Sequence, residues 1–133
     1  MQQAERALLS AALVDNTAIA KAGVLPEHFS DSVGERIWHS VLVIHGRGDP
    51  VDPVTLQGDL SDDLEAMRVI GQALQEVGSS ANAKAYARAV RTEHKRRELL
   101  SIADGLKEDA ADRHPNAAAG DAISELVGLS AGD

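Results

Sequence analysis

The sequence predicts an all-α fold: a compact bundle of about five or six short helices, followed by a long helix and a helical hairpin. Three observations carry the prediction. Apolar residues recur at helical spacing, and no stretch shows the alternation of a half-buried strand. Glycine, proline and capping residues punctuate those patterns at regular intervals. Only Phe29, Trp38 and Tyr86 are aromatic among 133 residues, so the core must be built from Leu, Val, Ile and Ala, a composition that favours helices over strands.

The first helix is expected over Gln3 to Val14, with Ala4, Leu8, Ala11 and Ala12 on one side. Asp15 and Asn16 end it and can cap a short helix through Ala18 and Ile19 to Lys21, which Gly23 stops. Leu25 precedes Pro26 and is therefore held extended. Ser32 and Glu35 read as a capping box for a third helix, in which Val33, Ile37, Val41 and Ile44 share a face. That helix ends at Gly46, and the Arg47-Gly48-Asp49-Pro50 run is a turn. Asp52 caps the next helix with Pro53 at its first position, where the missing N–H costs nothing. Asp62 and Glu65 suggest a further box, followed by Met67, Ile70, Leu74 and Val77 on one face, before Gly78, Ser79 and Ser80 break the chain.

From Asn82 to about Asp112 one long helical pattern runs with Gly105 as its single glycine. Ala83, Tyr86, Ala87 and Val90 share one face, and Lys84, Arg88, Arg91 and Lys95 line the opposite one. Beyond Arg97 the apolar residues are Leu99, Ile102, Ala103 and Leu106. At about 100° per residue, Ile102 and Leu106 fall on the side held earlier by the basic stripe. A helix that changes its buried side must pack against two bodies or break. Either case places a boundary near Arg97, between a globular domain of residues 1–97 and a hairpin and tail of residues 98–133. His114-Pro115-Asn116 reads as a turn, and Ala117 to Leu129 as a last helix that folds back and offers Ile123, Leu126 and Val127 as cover. Ser130 to Asp133 should fray. Two helices alone bury little, so Leu99, Ile102, Leu106, Ile123, Leu126 and Val127 are the candidate interface for a second copy.

Composition closes off several classes. The chain has no cysteine, which excludes a disulfide scaffold, a thiolate metal site and a cysteine nucleophile. No apolar run reaches the length of a membrane span, and a cytoplasmic protein is expected. Formal net charge is −8. Residues 1–80 hold 12 Asp/Glu and 5 Lys/Arg, giving −7, and residues 81–133 hold 9 and 8, giving −1. An acidic body repels a phosphate backbone, so no direct nucleic-acid contact is expected of it. Glu35 and His39 lie one turn apart but have no third ligand nearby, so no metal is expected. Phe29 and Trp38 read as core anchors. The stripe Lys84, Arg88, Arg91 and Lys95 is either a solvated face or a contact for an acidic partner, and it lacks the aromatics that stack on bases.

The ordered segments resemble a known family. Leu25-Pro26-Glu27-His28-Phe29, the Ile37-Trp38 pair and Gly48-Asp49-Pro50-Val51-Asp52-Pro53-Val54-Thr55-Leu56 are similar to the N-terminal domain of DnaB-type replicative helicases, which shows Pro-Glu-Asp-Phe, an Ile-Phe pair and Gly-x-Pro-Ile-Asp-x-x-Thr-Leu. Ala4 to Asn16 resembles its opening helix. Ser80 to Arg91 resembles its Ala-Asn-x-x-x-Tyr-Ala helix, and Arg96 to Leu100 the Arg-x-Leu-Ile beyond it. The likeness covers roughly residues 3–110. Val69 to Leu74 departs from the family's Gly-Gly-x-x-Tyr-Leu, with one glycine and no tyrosine.

The resemblance implies a non-catalytic collar domain that packs as dimers within a ring of six and docks primase or a helicase loader. It implies no cofactor and, for this chain, no enzyme activity. No Gly-x-x-x-x-Gly-Lys-(Ser/Thr) loop occurs in the sequence, so nothing cradles ATP phosphates. The chain reads as part of a full, ATP-dependent helicase or as a short phage-type homologue. Met1 standing directly before the first helix slightly favours the short protein. The alternative is a stand-alone adaptor, a helicase loader or inhibitor that imitates the collar.

Overall fold

The computed structural model describes residues 1–76 and 80–131. Seven α-helices form among them: α1 (Gln3–Val14), α2 (Thr17–Ala22), α3 (Ser32–Gly46), α4 (Pro53–Asp59), α5 (Leu64–Gln75), α6 (Ala83–Asp112) and α7 (Pro115–Ala131). Short 3-10 turns occupy Pro26–His28 and Ser80–Asn82, and no strand is found among the described residues. The fold is all-α, as the helical spacing predicts. Contacts divide the chain into two compact units, Met1–Arg91 and Thr92–Asp133. The expected face residue Val77, the expected break at Gly78 and Ser79, and the tail residues Gly132 and Asp133 lie outside the described residues.

In the first unit α1, α3 and α5 pack on one another, α4 lies on α3, and α2 joins α1 to α3. The centre is apolar: Leu8, Leu9, Ile37, Trp38, Val41, Ile44, Val51, Leu56 and Ile70 are fully buried. Each such Leu, Ile or Val removed from water is worth about 1.5–3 kcal/mol. All four face residues expected of α3 (Val33, Ile37, Val41, Ile44) are buried, and so is Trp38. The Trp38 indole N–H donates to the Val24 carbonyl at 2.8 Å, and its ring lies 5.5 Å from that of Phe29. Gly34 is required beneath that pair, because a Cβ there would stand 2.8 Å from Phe29 Cδ2.

Two caps sit one residue from where the Ser/Asp-x-x-Glu patterns put them. Asp31, not Ser32, caps α3, accepting from the Gly34 N–H at 2.8 Å, while the Ser32 hydroxyl accepts from Arg36. Asp63, not Asp62, caps α5, accepting from the Ala66 N–H at 3.0 Å. The tertiary partner decides: Asp63 also receives the Arg36 guanidinium at 2.7 Å, and Glu65 reaches the same arginine instead of closing a box. Asp52 and Pro53 start α4 as expected, with Thr55 completing a reciprocal cap at 2.9 Å in both directions.

The buried face of α5 is also displaced. It runs through Ala66, Val69, Ile70 and Ala73, with Met67 partly buried and Leu74 half exposed. Small alanines let α5 approach α1 and α3 closely, and periodicity weighted toward large residues selects the neighbouring stripe.

Two polar residues hold the unit together in ways that spacing does not announce. Glu5 is fully buried and accepts from the Gln2 N–H (2.9 Å), the Ser30 N–H (2.6 Å) and the Ser30 hydroxyl (2.8 Å). The Thr17 N–H that opens α2 is accepted by Asp15 at 3.0 Å, and the Asn16 side chain turns elsewhere. Its amide donates to Ala12 O and Val51 O at 2.9 Å, and its carbonyl accepts from Val51 N–H at 2.8 Å. Those bonds satisfy the backbone of Val51, a buried residue with no helical partner. Gly23 ends α2 in the left-handed conformation, with φ 61°.

Helix α6 is continuous past Arg97, so no break accounts for the change of apolar side there. In the second unit α6 ends at Asp112, and Pro115 opens α7 at its first position. His114 accepts from the Asn116 N–H at 3.1 Å, so the expected turn is the helix entry itself. Arg113 fastens this corner, with Asp121 at 2.7 Å and Asp109 at 3.1 Å.

Candidate functional site

In the second unit the burial order is inverted relative to side-chain size. Ala118 and Ala122 are the buried residues of α7. Ile123 and Val127 are 61% and 62% exposed, and Leu126 is 39% exposed. On α6 Leu99 is 48% exposed and Leu106 37%, while Ile102 is partly covered. Leu99 and Leu106 thus keep much of their surface in solvent, as do Ile123, Leu126 and Val127. Leu100, next to Leu99 on α6, is 60% exposed. Alanines make the contact within the unit and the large side chains are left outside it. A small protein seldom leaves such a row open without a use for it.

Part of the row lines an open depression of about 380 Å³, formed by Thr92, Lys95, Arg96, Leu99, Leu126, Leu129 and Ser130. Its floor is leucine and its charged rim is basic. A second depression, also about 380 Å³, is lined by Glu98, Ser101, Ile102, Glu125, Gly128 and Leu129. Leu129 belongs to both and is the residue whose role spacing alone did not indicate. The structure thus brings Leu99 and Leu126 together, and places Ile102 on the other groove.

The four residues of the basic stripe have different surroundings. Lys84 and Arg88 are exposed on the first unit. Arg91 is half-buried and its guanidinium donates to the Ala22 carbonyl, at the end of α2. Lys95 is half-buried at the rim of the leucine depression. Nearby, His94 Nε2 meets Glu98 Oε1 at 2.6 Å along the same helix. Among the described residues no three His, Asp or Glu side chains converge as metal ligands, and no helix is long and apolar enough to cross a membrane.

The described residues thus form an all-α bundle and a two-helix hairpin, with one Asp-Pro cap at Asp52 and Pro53 and a row of exposed large apolar side chains on α6 and α7. Residues 1–92 match the model of the DnaB-like helicase N-terminal domain. The chain belongs to that family. It is 29% identical over 118 residues to the replicative DNA helicase DnaB of Geobacillus stearothermophilus, and 27% identical over 118 residues to the replicative DNA helicase DnaC of Bacillus subtilis (strain 168). Each match takes in 84% of this chain and 26% of the relative, so the chain spans about a quarter of the length of these helicases.

The fold agrees with solved members. The N-terminal domain of the DnaB helicase from Mycobacterium tuberculosis superposes with a TM-score of 0.82 at 23% identity, covering 93% of this chain and 94% of that one. A structure of a DnaB-like replicative helicase and its interactions with primase gives 0.76 at 23% identity, covering 95% of this chain and 31% of that one. The family match covers residues 1–92, and the fold is shared over nearly the whole chain.

Proposed function

We propose that this DnaB-like N-terminal domain is a non-catalytic collar module. It associates with copies of itself through the hairpin, organises a ring as dimers, and docks primase or another replication protein. The observation that carries the reading is the inverted burial of α7, where Ala118 and Ala122 face inward while Ile123, Leu126 and Val127 face out. Together with Leu99 and Leu106 they offer exposed large side chains, each worth about 1.5–3 kcal/mol when covered. Four or more of them covered at once, about 6–12 kcal/mol, are of the same order as the cost of bringing two copies together.

Primase enters on a narrower support. One similar structure is described by its interactions with primase. In this chain the apolar row and the exposed Lys84 and Arg88 are surfaces such a partner could use. No nucleotide hydrolysis is assigned, because the sequence lacks a phosphate-binding loop. The net charge of −8 argues against binding nucleic acid directly.

Light scattering on the purified chain and on a Leu106→Asp/Ile123→Asp variant tests the association. The expected result is an oligomer for the parent and a folded, helical monomer for the variant. A parent that stays monomeric at high concentration, or a variant that associates as well as the parent, overturns it. Fluorescence anisotropy with labelled primase tests the docking separately.

A further inference from the structure

The hairpin carries two grooves whose rims are opposite in charge. One has Leu99, Leu126 and Leu129 in its floor, with Lys95 and Arg96 on its rim. The other runs over Ile102 and Leu129, with Glu98 and Glu125 on its rim. Every lining residue belongs to the second unit, and Leu129 lies in both grooves, so they are neighbours on one body.

The rim charges are placed where a partner can reach them. Arg96 is 63% exposed, and its contact with Glu93 at 3.4 Å is a surface pair of a kind that adds little stability. Glu98 meets His94 at 2.6 Å, and that imidazole offsets its charge only when protonated. Glu125 is exposed on α7. Apolar burial is not directional, so Leu99, Leu126 and the residues beside them could be covered in many registers. Charges flanking an apolar seam choose among registers, because unlike charges attract across it and like charges brought together repel. A chain with one basic-rimmed and one acidic-rimmed groove bears both halves of that selection.

We propose that a second copy of this chain is the occupant: the basic-rimmed groove of one copy receives the acidic-rimmed flank of the other. Lys95 and Arg96 then meet Glu98 and Glu125 of the second copy around the covered leucines. The inference rests on the self-association proposed above and adds what sets its register.

Charge reversal tests the pairing. Lys95→Glu/Arg96→Glu makes both rims acidic, and Glu98→Lys/Glu125→Lys makes both basic. Sedimentation velocity at low salt compares the parent, each variant alone and the equimolar mixture, with circular dichroism confirming equal helix content. Each variant alone is expected to associate about tenfold or more weakly than the parent, and the mixture to recover association near the parent's. If a double variant does not fold, Arg96→Glu and Glu125→Lys, both at exposed positions, carry the same comparison. Weakening of both variants without recovery in the mixture overturns the proposal. A parent that associates while both variants match it overturns this proposal alone and leaves the self-association standing. A parent that stays monomeric overturns both.

Discussion

Trp38, in the middle of α3, donates its indole N–H to the carbonyl of Val24 at 2.8 Å, tying the longest helix of the globular unit to the extended segment that leaves α2. The bond matters because Val24 is buried and lies outside any helix. A buried carbonyl without a donor carries its full desolvation cost. One side chain therefore fills the core and satisfies the backbone of the Leu25-Pro26 entry that marks this family.

Replacing Trp38 separates those two roles. Trp38→Ala should lower stability by about 3–5 kcal/mol, as removal of a fully buried large aromatic does. Trp38→Phe keeps much of the volume and removes the donor, and should cost about 1–3 kcal/mol for the orphaned Val24 carbonyl. Urea unfolding followed by far-UV circular dichroism measures both. Equal losses for the two variants would show that packing contributes little beyond the hydrogen bond.

Glu5 offers a second test of a polar group inside the core. Its carboxylate answers two backbone N–H groups and one hydroxyl, two of them on Ser30. Glu5→Ala strands these donors and should destabilise the domain by about 1–3 kcal/mol. Glu5→Gln keeps the size but turns half of the acceptor into a donor facing N–H groups, so it should not rescue fully. A denaturation midpoint for Glu5→Gln equal to the parent's would contradict this.

The sequence was legible where a local rule decides the structure. Helix α1 has its expected bounds, Asp52 and Pro53 start α4, Gly23 closes α2, and the Val33–Ile44 stripe is buried. It was less legible where tertiary contact arbitrates between equivalent local choices. Ser32 and Asp31 are both competent caps, and the one used, Asp31, also receives the Met1 ammonium at 2.8 Å. Asp62 and Asp63 differ by the arginine that Asp63 alone engages among the contacts of Arg36 with Asp62 or Asp63. Alanine was the main blind spot. Ala66 and Ala73 on α5, and Ala118 and Ala122 on α7, make the closest packing because they are small, yet periodicity counts them as weak signals. On the hairpin the large residues Leu99, Leu106, Ile123, Leu126 and Val127 stand out in the sequence, whereas the buried Ala118 and Ala122 do not. Arg91 reads as a member of a basic stripe until its carbonyl partner is placed beside it.

Acid should weaken the domain through Asp63. The Arg36 guanidinium beside it, and then the Ala66 N–H, hold its carboxyl below the usual carboxylate range. A carboxylate depressed in the folded state adds stability that is complete above its unfolded value, about 3.9. That contribution fades as pH falls below this value and through the lower folded one. Thermal unfolding should therefore show a falling Tm below about pH 4. Asp63→Asn should start lower at neutral pH and show a shallower fall. A variant whose acid dependence matches the parent's would remove Asp63 from the account.

The exposed part of the basic stripe provides the last prediction. Arg91 is committed to Ala22, so reversing it would disturb the fold and mislead a binding test. Lys84 and Arg88 point to solvent, and their replacement by Glu should leave the unfolding midpoint nearly unchanged. The globular part of a second copy is acidic, with 12 Asp/Glu against 5 Lys/Arg in residues 1–80. An acidic partner meeting Lys84 and Arg88 gains attraction that the double reversal turns into repulsion. Association, with itself or with primase, should then weaken severalfold at low salt. At about 0.5 M salt the screening length is well under 10 Å, and the difference between parent and variant should shrink. Sedimentation velocity across a salt series reads the self-association, and anisotropy the primase arm. Equal affinities for parent and variant at every salt concentration would make these two side chains a solvated helix face and leave the hairpin as the whole of the contact.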